Sequence, residues 1–150
     1  MKDIRGSGFL FITKDRRILI LKRSKDSSFP DTWCLPGGKV DPDDYGLHDS
    51  FEESMLKAAR REAWEEIKIK LSYLTGSLHP QHIDTAKNSF MFRTFIFFLS
   101  IKDINIIENN ISLDHEHQDW KWIKIDEAGK AKDIHPGLKN TLNILKLYKI

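Results

Sequence analysis

The sequence predicts an α/β (α+β) fold, a mixed β-sheet packed between helices, and three features of the chain point to it. Short apolar runs rich in Phe, Ile and Leu recur from residue 8 to residue 125, bounded by polar or Gly/Pro-containing stretches. One long helical segment, residues 51–67, interrupts them. A second helical segment, residues 137–148, carries Leu138, Leu142, Leu145 and Tyr148 at spacings of three and four.

Taken in order, residues 8–13 and 18–22 are apolar runs joined by Lys14-Asp15-Arg16-Arg17, and they read as a β-hairpin. Residues 24–31 are polar, contain Pro30 and read as a loop. Residues 33–35 make a short strand that Pro36-Gly37-Gly38 stops. Residues 41–49, with Pro42, Gly46 and several Asp, read as an exposed, turn-rich excursion. The helix over 51–67 opens on a capping-box signature, Ser50 with Glu53 three residues on. Beyond it, residues 68–74 alternate with a period of two, residues 90–101 suit a long central strand, and 104–107 a shorter one. Residues 120–125 alternate again, and residues 126–132 read as a short helix. No repeat or linker divides the chain, so residues 1–150 are expected to form one domain.

Composition narrows the function. With 31% charged and 40% hydrophobic residues, the chain has the balance of an ordinary globular protein. A net charge of +2 and the lack of a Lys/Arg run argue against a nucleic-acid partner. Cys34 is the single cysteine, which excludes an internal disulfide and suits a reducing, cytoplasmic setting. It reads most simply as a small buried hydrophobe. The polar start, residues 1–8, has no signal-peptide core, and the most apolar run, 95–99, is far too short to span a bilayer. A monomer or homodimer without a membrane partner is expected.

The chemistry sits on the long helix. Phe51, Met55, Ala58 and Ala59 share a stripe that continues into Glu62, Glu65 and Glu66. Carboxylates at these spacings lie side by side and repel. A divalent cation removes that penalty, and hard oxygen ligands favour magnesium, manganese or calcium over zinc. Arg61, four residues before Glu65, can pair with a carboxylate and hold it. By itself such a run is equally well explained as a solvated helix face. Its setting is more particular. Leu35-Pro36-Gly37-Gly38-Lys39-Val40 precedes the helix, and Gly-Gly lets the backbone bring a carbonyl close to a cation or phosphate.

A strand ending in Trp-x-Leu-Pro-Gly-Gly, then a helix ending in Arg-Glu-x-x-Glu-Glu, resembles the Nudix hydrolase family. The family's box runs from a glycine through a first glutamate to Arg-Glu-x-x-Glu-Glu-x-Gly. The matching residues are Gly38, Arg61, Glu62, Glu65 and Glu66, and the resemblance covers most of the chain. It implies a Nudix α/β/α sandwich with Gly38, Glu62, Glu65 and Glu66 at a metal site. It implies magnesium as cofactor, manganese as a substitute, and a small-molecule nucleotide as partner. The implied reaction cleaves the diphosphate bond of a nucleoside diphosphate-linked molecule: a nucleoside triphosphate, a nucleotide sugar or ADP-ribose. Two alternatives stay open, an RNA 5′-end pyrophosphohydrolase and a non-catalytic binding module of the same fold. The near-neutral charge argues against the first and the intact glutamates against the second.

Two departures from the family pattern matter. Lys68 stands where the family has a helix-ending glycine, so the turn must form another way. The stretch from Gly38 to Arg61 is also longer than the family's, which makes residues 41–49 an insertion near the site. Counting back from Arg61 places the first box glutamate at Glu53, whereas counting forward from Gly38 lands on Asp44. A register in which the helix has gained a turn puts Asp49 or Glu52 there instead. Glu53 is taken for the role and, with Arg61 and Glu116, is expected to be catalytic. On a continuous helix, however, Glu53 lies roughly 180° from Glu62, so it reaches the metals only if the helix starts after it.

Glu116 precedes Trp122 by six residues in a polar loop. It resembles the acidic loop residue of many Nudix enzymes, and it could take a proton from water or add a metal ligand. His115 and His117 flank it, and histidines in a polar loop are more often solvated than ligands. Arg23 suits a phosphate contact and Trp33 a base-stacking surface, as do Phe9 and Phe29. The plainer readings are an exposed charge for Arg23 and packing for the aromatics.

Overall fold

Side-chain alternation along the central strands builds the layers. In β1 (Ile4–Ile12), Phe9 and Phe11 belong to one hydrophobic cluster, Leu10 and Ile12 to another. In β2 (Arg17–Arg23), Leu19 and Leu21 go with the first cluster, Ile18 and Ile20 with the second. In β6 (Phe90–Phe98), Phe95 and Phe97 face away from Ile96 in the same manner. Strands that are apolar on both faces need a covering layer on each. Helix α1 (Phe51–Ile67) covers the first face through Met55, Ala59, Ala63 and Ile67, and α2 (Ile101–Asn110) adds Ile107. Helices α3 (Ile125–Lys130) and α4 (Pro136–Leu145) cover the second through Ile125, Ala128, Leu138, Leu142 and Leu145. The computed structural model, which describes residues 4–148, is thus an α/β/α sandwich. The first three residues of the polar start lie outside the described residues. Among those described, no helix is long and apolar enough to cross a membrane.

The sheet runs β3 (Trp33–Cys34), β2, β1, β6, β5 (Ser77–Lys87). Strand β4 (Gly37–Lys39) pairs with β1, and β7 (His117–Lys124) pairs with β2. The central pair, β1 and β6, is parallel and the other pairings are antiparallel, so the sheet is mixed.

Several elements differ from expectation, each for a physical reason. Residues 68–74 form no strand. Lys68 ends α1 and a 3-10 turn, Leu71–Tyr73, follows. The strand lies later, in β5, whose Pro80 and two histidines hide it. As an edge strand with a register shift between Leu78 and His82, it tolerates a proline and buries little beyond Ile83. Residues 104–107 are helical, not extended. Ser100 and Asp103 close a reciprocal capping box, so β6 stops at Phe98 and α2 begins at Ile101. Gly37 and Gly38, expected to stop a strand, form β4 opposite Gly8 and Ser7. A Cβ on Gly37 would sit 2.8 Å from the Gly8 Cα, so this pair of backbones meets because both lack side chains.

Candidate active site

The Ser50 hydroxyl accepts the Glu53 N–H at 3.1 Å and starts α1 at Phe51. The buried stripe of α1 then carries Glu62 and Glu66 onto β4. A Cβ on Gly38 would lie 2.6–2.7 Å from the Glu62 carboxyl atoms, so glycine is what admits that carboxylate. One turn on, Glu66 Oε1 accepts the Gly37 N–H at 2.6 Å. The helix ends through Lys68 itself, in the left-handed conformation at φ 59°. The turn that glycine makes in the family is therefore made here by a lysine, at some conformational strain.

Arg61 is the hub of the exposed side. Its Nε donates to Asp44 Oδ1 at 3.1 Å, and one terminal nitrogen donates to Asp44 Oδ2 at 3.0 Å and to the Lys39 carbonyl at 2.9 Å. The other terminal nitrogen reaches Glu62 and Glu65, both at 3.0 Å. Asp44 is 3% exposed, sits in a 3-10 turn (Pro42–Asp44), and also accepts the Asp41 N–H at 2.8 Å. Burial opposes its charge, but the Arg61 and Asp41 hydrogen bonds outweigh that and hold its pKa below the usual value. Arg61 in turn is held more firmly protonated, chiefly by Asp44.

The inner side is different. Glu66 is 3% exposed, and burial pushes its pKa well up, with the negative charges of Glu62, Asp114 and Glu116 adding to the rise. Glu62 is pushed up to about 7, again chiefly by burial, against the pull of Arg61. His117 is buried beside Glu66, with Nε2 3.6 Å from Glu66 Oε2 and Nδ1 2.8 Å from Asp114. The Cys34 thiol lies 3.8 Å from the same Nε2, and burial raises its pKa to about 12. The loop bearing Asp114 and Glu116 is docked by its backbone: the Asp114 N–H donates to the Glu66 carbonyl at 3.2 Å, and the Ser24 N–H to the Glu116 carbonyl at 2.8 Å.

The structure thus brings Gly38, Arg61, Glu62, Glu65 and Glu66 together. Glu116 is exposed, and its charge is felt by both Glu62 and Glu66. Glu53 is elsewhere: α1 begins two residues before it, which leaves it exposed on the face turned away from Glu62. The forward count to Asp44, not the backward count to Glu53, lands on a carboxylate that Arg61 grips. Arg23 donates to the Ser28 carbonyl and hydroxyl at 2.7 and 2.9 Å, and it stands close enough to Cys34 to oppose the thiol's rise. Trp33 is 6% exposed, with the Lys121 ammonium 4.3 Å above its ring, so it offers no open stacking face. Phe29 does: it is 52% exposed, held at a positive φ of 50°, and edge-on to His135. Asp114 and the burial of His117 escape sequence reasoning, since a polar loop gives no sign that it folds back onto the helix. Within residues 41–49 Asp44 is buried against Arg61, and the residues on either side of it are exposed.

As a donor set for a hard divalent cation, the arrangement fits. Glu62 and Glu66 are brought against a Gly-Gly backbone, Arg61 pairs with Glu62 and Glu65, and Glu66, Asp114 and His117 offer ligand atoms that all lie within 4.8 Å of one another. Sequence and structure comparisons show the family and the fold. Curated relatives include mouse (Mus musculus) diphosphoinositol polyphosphate phosphohydrolase 3-alpha, 29% identical over 125 residues, covering 81% of this chain and 63% of the relative. Another is the rat (Rattus norvegicus) phosphohydrolase 2 of the same description, 30% identical over 112 residues, covering 73% of this chain and 52% of the relative. The chain thus spans less than two thirds of the length of these relatives. Among solved structures, a C. elegans Ap4A hydrolase in a binary complex aligns with TM-score 0.64 and 23% identity over 96% of both chains. A Nudix hydrolase from M. smegmatis aligns with TM-score 0.70 and 18% identity over 98% of this chain and 86% of its own. At such identities these structures show the fold alone. The family profile described as NUDIX domain matches residues 4–143, nearly the whole chain, and the protein therefore belongs to the NUDIX domain family.

Proposed function

We propose that the protein hydrolyses the diphosphate bond of a nucleoside diphosphate-linked small molecule, with magnesium as cofactor and manganese as a substitute. The observation that carries this reading is the approach of Glu62 and Glu66 to Gly37 and Gly38, with Glu66 buried beside the negative charges of Glu62, Asp114 and Glu116. Glu62, Glu65, Glu66 and the Gly38 backbone are the groups that would hold the cation, which when bound neutralises diphosphate charge and acidifies water. Arg61 fixes the orientation of Glu62 and Glu65, and Asp44 keeps Arg61 in place. Glu116, on the docked loop, takes the proton of the attacking water. Arg23, at the mouth of the cluster, contacts a phosphate, and the exposed Phe29 beside it offers a stacking surface for the base. The water oxygen bonds to one phosphorus, the bridging P–O bond breaks, and two phosphate-ended products leave. A cytoplasmic monomer or homodimer is part of this reading, supported by the free Cys34.

The relatives named above are named for diphosphoinositol polyphosphates and the solved neighbour for Ap4A, which share a phosphoanhydride. The test is a substrate panel with magnesium: nucleoside triphosphates, nucleotide sugars, ADP-ribose, Ap4A, a diphosphoinositol polyphosphate and 5′-triphosphate RNA. Cleavage of a nucleotide that EDTA abolishes is expected, with Glu116→Gln losing the acidic limb of the pH–rate profile. Binding without cleavage across the whole panel would overturn the enzymatic reading in favour of a binding module.

A further inference from the structure

The flank of α1 turned away from the carboxylate cluster gathers charge of the opposite sign. Arg60 and Trp64 share one face of the helix, roughly 160° around it from Glu62. They line one side of a groove of about 630 Å³, and residues 70–78 with Phe97 line the other. Leu74, Leu78 and the buried ring of Phe97 make its apolar wall, and no acidic residue lines it. Trp64 is 39% exposed, and two ammonium groups stand over its indole, Lys70 Nζ at 4.8 Å and Lys68 Nζ at 5.4 Å from the ring centroid. Lys68 reaches the ring from the left-handed turn that ends α1. Arg61 also lines the groove, but Asp44, Glu62 and Glu65 answer its charge. Among the described residues, no carboxylate pairs with Arg60, Lys68 or Lys70. One exposed cation without a partner is ordinary. Three beside an apolar groove, in a chain with 24 Lys and Arg against 22 Asp and Glu, are a local imbalance that an anion would remove.

We propose that this groove is a second binding site, for a small aromatic phosphate, that is, a planar ring carrying a phosphate monoester. The ring enters between Trp64 and the wall of Leu74, Leu78 and Phe97, where stacking on the indole and burial of apolar surface both favour it. The phosphate meets Arg60, Lys68 and Lys70, three cations against a group that carries nearly two negative charges at neutral pH. The apolar wall lowers the local dielectric and strengthens that attraction. A volume of about 630 Å³ suits a ligand of this size. A neutral ring would leave the cations unanswered, and inorganic phosphate would leave the apolar wall wet, so the site selects the two parts together. It uses none of Glu62, Glu65 and Glu66 and does not depend on hydrolytic activity.

Naphthyl phosphate is the probe, titrated by calorimetry in EDTA so that no hydrolytic cation is present. Binding at one site per chain is expected. Affinity should fall about tenfold or more in Trp64→Leu, the loss that one stacking contact carries. Lys70→Glu, a charge reversal at an exposed position, should cost at least about as much and serves where Trp64→Leu does not fold. Naphthol and inorganic phosphate should each bind at least about tenfold more weakly than naphthyl phosphate. Glu66→Gln and Phe29→Ala should bind as the wild type does, which separates the groove from the carboxylate cluster and from the exposed ring at Phe29. No binding to the wild type, wild-type affinity in Lys70→Glu or in folded Trp64→Leu, or a loss in Glu66→Gln or Phe29→Ala as large as that in Lys70→Glu would overturn the proposal. So would naphthol or inorganic phosphate binding as tightly as naphthyl phosphate.

Discussion

Arg61 and Glu66 lie five residues apart on one helix, and their surroundings are charged in opposite senses. Arg61 is met by Asp44, Glu62 and Glu65 and by the Lys39 carbonyl, so its positive charge is more than answered. Glu66 is met by a single backbone N–H, a long approach to His117, and three further negative charges nearby. Arg61 orders Glu62 and Glu65, whereas the charge of Glu66 is opposed by burial and by its negative neighbours. Such an imbalance is disfavoured in an isolated fold and is relieved by a bound cation. In the proposed function, Arg61 and Asp44 are the scaffold, the outer half of the cluster, and Glu66 lies at the binding surface, its inner half.

The largest expected effect comes from breaking the inner half. Glu66→Gln should lower kcat on the order of 10²–10³-fold, because charge that holds the cation against the substrate is lost. It should also leave the metal-free fold as stable as the wild type, or more so, since a buried charge is removed. Thermal melts in EDTA beside steady-state kinetics check both. Breaking the outer half should have the reverse emphasis. Asp44→Asn weakens the grip on Arg61 and should cost about 2 kcal/mol of stability by denaturant titration. Its kinetic effect should be smaller than that of Glu66→Gln, and Glu53→Gln should change neither quantity.

The pH dependence of stability sharpens the same contrast. Glu62 carries a folded pKa of about 7 against an ordinary 4.5, so the folded state holds its proton more tightly than the unfolded state. The stability this contributes is fully present below 4.5 and is lost as pH rises through about 7. Glu66 is raised in the same direction. Asp44, lowered by Arg61, contributes stability above its ordinary 3.8 and loses it as pH falls through the folded value. Metal-free melting temperature should therefore decline across the window from 4.5 to 7, and magnesium should flatten the decline. A control outside both halves is Lys68→Gly. Removing the left-handed strain at φ 59° should stabilise the protein by about 0.5–1 kcal/mol with unchanged kinetics.

Much of this could be read from the chain. The alternating apolar pattern of β1, β2 and β6 foretells a doubly covered sheet, and the stripe from Met55 to Glu66 foretells where the carboxylates gather. What stayed hidden has identifiable causes. Strand β5 lies at an edge, so it carries no apolar alternation to reveal it. Helix α2 announces itself at Ser100 and Asp103, but the isoleucines after them have high strand propensity and mask the capping signal. Counting back from Arg61 puts the first box glutamate at Glu53, whereas the carboxylate that Arg61 grips besides Glu62 and Glu65 comes from a 3-10 turn. A count cannot tell an insertion before that turn from one after it. The weight of His117 depends on a loop folding back onto the C-terminal end of α1, a long-range contact without a local signature.

The central claim is that the inner half of the cluster binds a hard cation and the outer half orders it. Manganese binding followed by electron paramagnetic resonance tests this without a substrate. The account expects Mn(II) affinity to fall at least about tenfold in Glu66→Gln, as loss of a ligand charge requires, and to be unchanged in Glu53→Gln. Wild-type affinity in Glu66→Gln, or a loss in Glu53→Gln equal to that in Glu66→Gln, would contradict it.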